Sequence, residues 1–94
     1  SLLRANGSVS FAAAETLTHF LPAAMRRFNL PTDAPPEKLI EILKSVNPAA
    51  AEKVSAAIAA LLRLRDTGAA KDEARLLRSV QTLAQIRKEF HIYG

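Results

Sequence analysis

The sequence predicts an all-α fold, a compact bundle of four helices, or of five if Pro22 divides the first helix. Apolar residues recur at spacings of three and four in several long segments, as they do along the buried side of a helix. No segment alternates apolar and polar residues as a half-buried strand does. The 94 residues are enough for one domain. We therefore expect a single helical domain over residues 10–94, preceded by a linker or N-terminal extension over residues 1–9.

The segment from Asn47 to Gly68 is predicted to be the central helix, because it carries signals at both ends. Asn47 can accept a hydrogen bond from a free amide of the first turn, and Pro48 fits the first helical position. Gly68 can adopt the left-handed conformation that often closes a helix. The apolar stripe between these ends consists of Val54, Ile58, Leu61 and Leu62.

The first helix is predicted to run from about Phe11 towards Phe28, with Pro22 either bending or dividing it. A proline-rich loop follows, after which the spacing predicts a helix over residues 36–46 and a last helix over about residues 70–90. The residues predicted to face inward are Phe11, Ala14, Leu17, Leu21, Ala24, Met25 and Phe28 in the first helix, Leu39, Ile42, Leu43 and Val46 in the next, and Leu76, Leu77, Val80, Leu83, Ala84 and Phe90 in the last.

The residue types offer little for catalysis. The chain has no cysteine, and therefore neither a disulfide framework nor a reactive thiolate. Its two histidines, His19 and His91, fall in different elements, and we expect neither to have an acidic neighbour at helical spacing. There is no glycine-rich phosphate loop and no zinc-ligand spacing. We accordingly predict that the protein is not an enzyme and has no catalytic, metal-binding or cofactor-binding residues.

Small residues on a second face of the central helix favour an interaction surface. Ala56, Ala59 and Ala60 lie opposite the apolar stripe, where another helix can approach closely, either the domain's own first helix or a partner's. Arg65 and, in the last helix, Arg87 align with apolar residues, so each anchors an acidic partner, pairs with a buried carboxylate or extends its charge to the rim. The predicted partner-binding residues are Phe20, Ala56, Ala59, Ala60, Arg63 and Arg65.

These features predict a non-enzymatic helical protein-interaction module that binds a protein partner or a second copy of itself. The alternative is a small basic nucleic-acid-binding domain, since the net charge is +4 and the last helix places arginine and glutamine side chains on one face. The residues of that alternative face are Arg75, Arg78, Gln81, Gln85 and Lys88.

The order of the segments RRFNLP, EKLIEIL and DEARLLRSVQTLAQIRKEF also resembles a known class of proteins. It is similar to the C-terminal cytoplasmic helical tails of bacterial membrane-anchored proteins of unknown function encoded beside MoxR-type ATPases. The resemblance implies a cytoplasmic domain that helps to assemble an envelope-associated complex with an ATPase, and it implies no catalytic residues.

The chain starts without methionine, which we interpret as the mark of a fragment of a larger protein. No run of about 18 apolar residues is present, so we expect no membrane-spanning segment in this chain. The predicted location is the cytoplasm, with the domain either free or the soluble part of a membrane-anchored protein.

Overall fold

A computed structural model describes residues 8–93 and confirms the all-α bundle of four helices. Within residues 8–93 there is no β-strand. Pro22 does not divide the first helix, which continues through it. The elements are α1 (Ser8–Arg27), α2 (Pro36–Val46), α3 (Pro48–Thr67), a short 3₁₀ helix (Ala70–Asp72) and α4 (Glu73–Phe90).

The predicted linker over residues 1–9 is wrong at its carboxyl end. Residues 1–7 lie outside the described part of the chain, but Ser8 and Val9 belong to α1, and Val9 is buried. Val9 packs beside Gly68 at the end of α3: a Cβ atom on Gly68 would lie 2.9 Å from Val9 Cγ1. The same Cβ atom would overlap the Leu64 carbonyl oxygen. Gly68 is therefore suited to its position by the path of the α3 backbone and by the close approach of α1. The predicted left-handed conformation is absent, since its φ is −61°.

Helix α3 is the centre of the bundle, because it packs against each of the other three helices. At one end, the Ser10 hydroxyl donates a hydrogen bond to the carbonyl of Arg65, which places the start of α1 beside the end of α3. At the other end, Arg27 Nε donates to the Phe90 carbonyl over 2.8 Å, which places the ends of α1 and α4 together. Helices α1 and α4 thus run in the same direction, and both are antiparallel to α3.

Asn47 forms the joint between α2 and α3. Its backbone N–H donates to the Leu43 carbonyl over 2.7 Å, which closes α2. Its side-chain Oδ1 accepts from the Ala50 N–H over 3.1 Å, which confirms the predicted cap of α3. Because one residue closes one helix and caps the next, α2 folds back along α3 with almost no connecting loop.

The buried side of α1 agrees with the predicted one only in part: Leu17, Ala24 and Met25 are buried as expected, but Phe11 and Phe20 were assigned to the wrong sides. Phe11 is 67% exposed, whereas Phe20, predicted to bind a partner, is only 1% exposed and lies in the core. The partner-binding assignment of Phe20 was therefore wrong. Alanines occur on several sides of α1 and blur its apolar stripe, so a stripe drawn through Phe11 is rotated away from the true one. The longest series of buried residues in α1 at spacings of four and three consists of Val9, Ala13, Leu17, Phe20 and Ala24.

Apolar residues outside α1 also differ from their predicted positions. Val46 and Leu77, both predicted to face inward, are 59% and 46% exposed. Ile92, which follows the predicted last helix, is buried. His91 adopts a positive φ of 54°, and the Ile92 N–H then donates to the Arg87 carbonyl over 2.9 Å. The chain thus turns back after α4 and carries Ile92 into the core.

The two phenylalanines of α1 provide a direct test of this core. We expect Phe20→Ala to lower the free energy of unfolding by about 3–5 kcal/mol, because it removes a buried ring and leaves a cavity. Phe11→Ala on the same helix should change it by less than about 0.5 kcal/mol, because that ring is mostly in water. Urea unfolding followed by circular dichroism measures both values. Equal losses for the two variants would contradict the observed orientation of α1.

Candidate interaction surfaces

An open groove lies between α2 and α3, and we call it the α2–α3 groove. Its volume is about 840 Å³. Charged side chains from both helices stand at its rim, namely Glu37, Lys38, Glu41, Lys44 and Arg65. The floor is apolar and is formed by Leu21 of α1, Ile40 of α2, and Ile58, Ala59 and Leu62 of α3.

The helix sequences explain why the groove is apolar and open. Leu39 and Leu43 of α2 point into the core, and Ile40, one position further round the helix, remains half-buried on the groove side. Across from Ile40, α3 contributes Ser55 and Ala59 to the lining, and their small side chains do not fill the space between the two helices. The apolar residues beside the main stripes thus line a channel that the domain itself does not fill.

Three of the five charged rim residues, Lys38, Glu41 and Arg65, are already paired within their own helix. Lys38 Nζ lies 3.7 Å from Glu41 Oε2, and Arg65 Nε donates to the carboxylate of its neighbour Asp66 over 3.2 Å. Glu37 and Lys44 form no ion pair with any residue in the range 8–93. The groove therefore presents one free acidic and one free basic side chain on α2.

A second hollow, the α3–α4 groove, lies on the other side of α3 and has a volume of about 490 Å³. It brings Arg78, Gln81 and Gln85 of the predicted nucleic-acid face together with Lys53 of α3, which the sequence did not associate with them. Glu89 adds a negative charge at one end of this groove. Arg75 and Lys88 are exposed on α4 but lie outside its lining.

The predicted partner-binding residues of α3 do not form one surface. Ala59 and Arg65 line the α2–α3 groove. Ala56 faces the opposite side, where it lines a smaller hollow with Lys53 and Arg78. Ala60 is half-buried and Arg63 is exposed, and neither lines a groove described above. The small residues of α3 are thus covered partly by the domain's own helices and partly left open on two sides.

Arg87 connects three parts of the domain. Its guanidinium donates to the carbonyls of His19 and Ile92, each over 3.3 Å, and lies 5.9 Å from the centre of the Phe20 ring. The side chain is half-buried where α1, α4 and the turned-back carboxyl end meet. Arg87 is therefore engaged inside the domain. None of the three roles considered for it, anchoring an acidic partner, pairing with a buried carboxylate or extending its charge to the rim, describes this arrangement.

The histidines have neighbours that the sequence analysis overlooked. Glu15 precedes His19 by one helical turn, and its carboxylate lies 3.6 Å from His19 Nε2 on the exposed side of α1, so the expectation of no acidic neighbour was wrong. His91 Nδ1 lies 3.1 Å from the Tyr93 hydroxyl. No cluster of three or more histidine and carboxylate side chains suited to a metal ion occurs among residues 8–93.

None of the four helices described is both long enough and apolar enough to cross a membrane. Comparison with protein-family models, with curated proteins and with solved structures gave no match. The resemblance to the tails of membrane-anchored proteins encoded beside MoxR-type ATPases stays a prediction.

Removing the Arg87 side chain should loosen the junction of α1 and α4. We expect Arg87→Ala to lower the free energy of unfolding by about 1–2 kcal/mol, because two carbonyls lose a charged donor and the Phe20 ring loses its cation. Arg78→Ala on the exposed side of α4 is the matched control, with an expected change within about 0.5 kcal/mol. Guanidinium unfolding of both variants measures the difference. An Arg87 variant as stable as its control would show that these contacts contribute nothing.

Proposed function

We propose that this domain is a non-enzymatic protein-interaction module that binds one helix of another protein chain in the α2–α3 groove. The observation that carries the proposal is the open apolar floor of that groove, formed by Ile40, Ala59 and Leu62 with their neighbours. A groove between two helices, apolar at its floor and charged at its rim, is the kind of surface on which an amphipathic helix binds.

The energetics favour covering this floor. Ile40 and Leu62 are half-buried in the free domain. Completing their burial contributes roughly 1 kcal/mol for each residue, about half of the value for a fully exposed side chain. The exposed apolar residues elsewhere, such as Phe11, Val46 and Leu77, stand on three different helices and line none of the grooves described above. Isolated exposed residues of this kind are ordinary on protein surfaces, whereas a continuous apolar groove marks a binding site.

The larger setting rests on the resemblance to the tails of membrane-anchored proteins. We propose that the domain is part of a larger bacterial protein and acts in the cytoplasm, either free or as the soluble part of a membrane-anchored protein. A helix of an associated ATPase is then one class of partner. The gene that encodes the chain tests this: a reading frame limited to these residues would contradict a larger protein, and an anchoring segment in a longer frame would assign the domain to a membrane-anchored one.

Two alanines of α3 provide matched variants for the groove. Helical peptides would first be selected from a display library for binding to the domain and then mapped by amide chemical shifts. We expect the shifts to centre on Ile40, Ala59 and Leu62. Ala59→Glu should weaken peptide binding at least tenfold, because it places a charge on the apolar floor. Ala56→Glu, on the opposite side of α3, should leave the affinity unchanged.

Two outcomes would overturn the proposal. One is that the selected peptides bind Ala59→Glu and the unmodified domain equally well. The other is that the peptides shift residues of a different surface.

A second candidate function, nucleic-acid binding, is favoured by one structural observation: Lys53 of α3 joins Arg78, Gln81 and Gln85 of α4 along one groove. Cationic and amide side chains side by side can contact phosphates and base edges. Neither Lys53 nor Arg78 has an ion-pair partner in the described part of the chain. We propose this function as the alternative to peptide binding.

Salt dependence tests the alternative. If the domain binds DNA through the α3–α4 groove, the affinity for duplex or single-stranded DNA should fall steeply between 50 and 200 mM salt, because phosphate contacts release counterions. Arg78→Ala should weaken binding and lower the salt slope by about one unit, whereas Lys38→Ala in the α2–α3 groove should not. Fluorescence anisotropy measures both effects. An absence of binding at low salt would eliminate the alternative.

A further inference from the structure

We infer that the occupant of the α2–α3 groove is α2 of a second copy of this chain, with the two copies related by a two-fold axis close to Ile40. The inference rests on the proposed function, since it names the partner of the same groove. In this arrangement each copy lays its α2 into the groove of the other. The contact then contains four helices, α2 and α3 from each copy.

The order of residues along α2 is what favours a second copy. Glu37, Ile40 and Lys44 are spaced three and four residues apart, so they follow one side of the helix, and all three line the groove. When two such helices lie antiparallel across a two-fold axis, Ile40 meets its counterpart near the axis. Glu37 of each copy then lies opposite Lys44 of the other. The surface is therefore complementary to itself, as a two-fold contact requires.

The remaining charges of the groove support the same partner. Lys38 is paired with Glu41 and Arg65 with Asp66, whereas Glu37 and Lys44 have no ion-pair partner within residues 8–93. These two free charges have opposite signs and stand on either side of Ile40. A partner helix of uniform charge would be repelled by one of them. A helix with one acid and one base at the same separation satisfies both, and α2 itself is such a helix.

The shape of α3 allows the approach. Ser55 and Ala59 are small, so the side of the second copy's α2 that contains Ile40 can pack beside them and cover Leu62. The α3–α4 groove lacks this self-complementarity. Its charged residues are two cations, Lys53 and Arg78, and one acid, Glu89, so two copies of it brought face to face would carry an excess of positive charge.

Sedimentation equilibrium of the 94-residue chain, from about 10 μM to 1 mM, tests the inference. We expect a monomer–dimer equilibrium, and Ile40→Asp should raise the dissociation constant at least tenfold, because it places two carboxylates at the centre of the contact. Circular dichroism establishes that the variant remains folded. A chain that is monomeric at every concentration, or a dimer that Ile40→Asp leaves intact, would overturn the inference.

Charge reversal tests the antiparallel register. Glu37→Lys and Lys44→Glu should each raise the dissociation constant about tenfold, because each places like charges opposite each other twice in the dimer. An equimolar mixture of the two variants should form a dimer again, since every facing pair is then of opposite sign. Lys53→Glu, on the other side of α3, is the control and should leave dimerisation unchanged. A mixture no tighter than either variant alone would overturn the two-fold register.

The two proposals can fail separately. If selected peptides bind the α2–α3 groove of a chain that is always monomeric, the inference of a second copy is wrong and the interaction module stands. If the chain dimerises and the dimer is insensitive to Ile40→Asp, the inference of a second copy in the groove is wrong, and the effect of Ala59→Glu on peptide binding still decides the proposed function separately.

Discussion

The close approach of three helices to α3 is the constraint on which the rest of the structure depends. Buried alanines, Ala50, Ala51 and Ala57, keep α3 narrow enough for neighbours to pack against several of its sides. The larger residues Val54, Leu61 and Leu64 fill the space between them. Small residues also leave shallow grooves on the surface of α3 where no neighbouring helix covers it. The two grooves are thus consequences of how the core is packed.

The two sides of α3 differ in chemistry, and this difference separates the two functions considered. The α2–α3 groove is apolar and carries acids and bases in nearly equal numbers. The α3–α4 groove has an amide-rich lining and an excess of cations. Burial of apolar area drives the first kind of contact and weakens little with salt, whereas the second kind depends on charge and weakens strongly with it.

Much of the fold could be predicted, because the chain carries clear local signals. Proline and Asn47 mark the limits of α2 and the start of α3, and both were placed correctly. The buried face of α1 was predicted only in part, because its alanines leave the apolar stripe undefined until packing selects one side. Leu17, Ala24 and Met25 are buried as expected, whereas the positions of Phe11 and Phe20 were not predicted correctly. The candidate site could be predicted only in part for a related reason. Ala59 and Arg65 were identified from α3 alone, but Ile40 and Lys53 acquire their roles from the helix across the groove. In the sequence, Ile40 and Lys53 are distinguished only by lying beside the main apolar stripe of their own helix. Many other residues occupy such positions.

The joint at Asn47 has a consequence for the entropy of binding. Pro48 restricts the residue before it to extended backbone geometry, and Asn47 adopts it, with φ −156° and ψ 96°. With its N–H bound to α2 and its side chain bound to α3, Asn47 fixes the angle between the two helices before any partner arrives. The walls of the α2–α3 groove are therefore preorganised, and a partner that enters it need not order them. Association of this kind loses less conformational freedom than binding to a flexible surface, so a small apolar floor can support a specific contact.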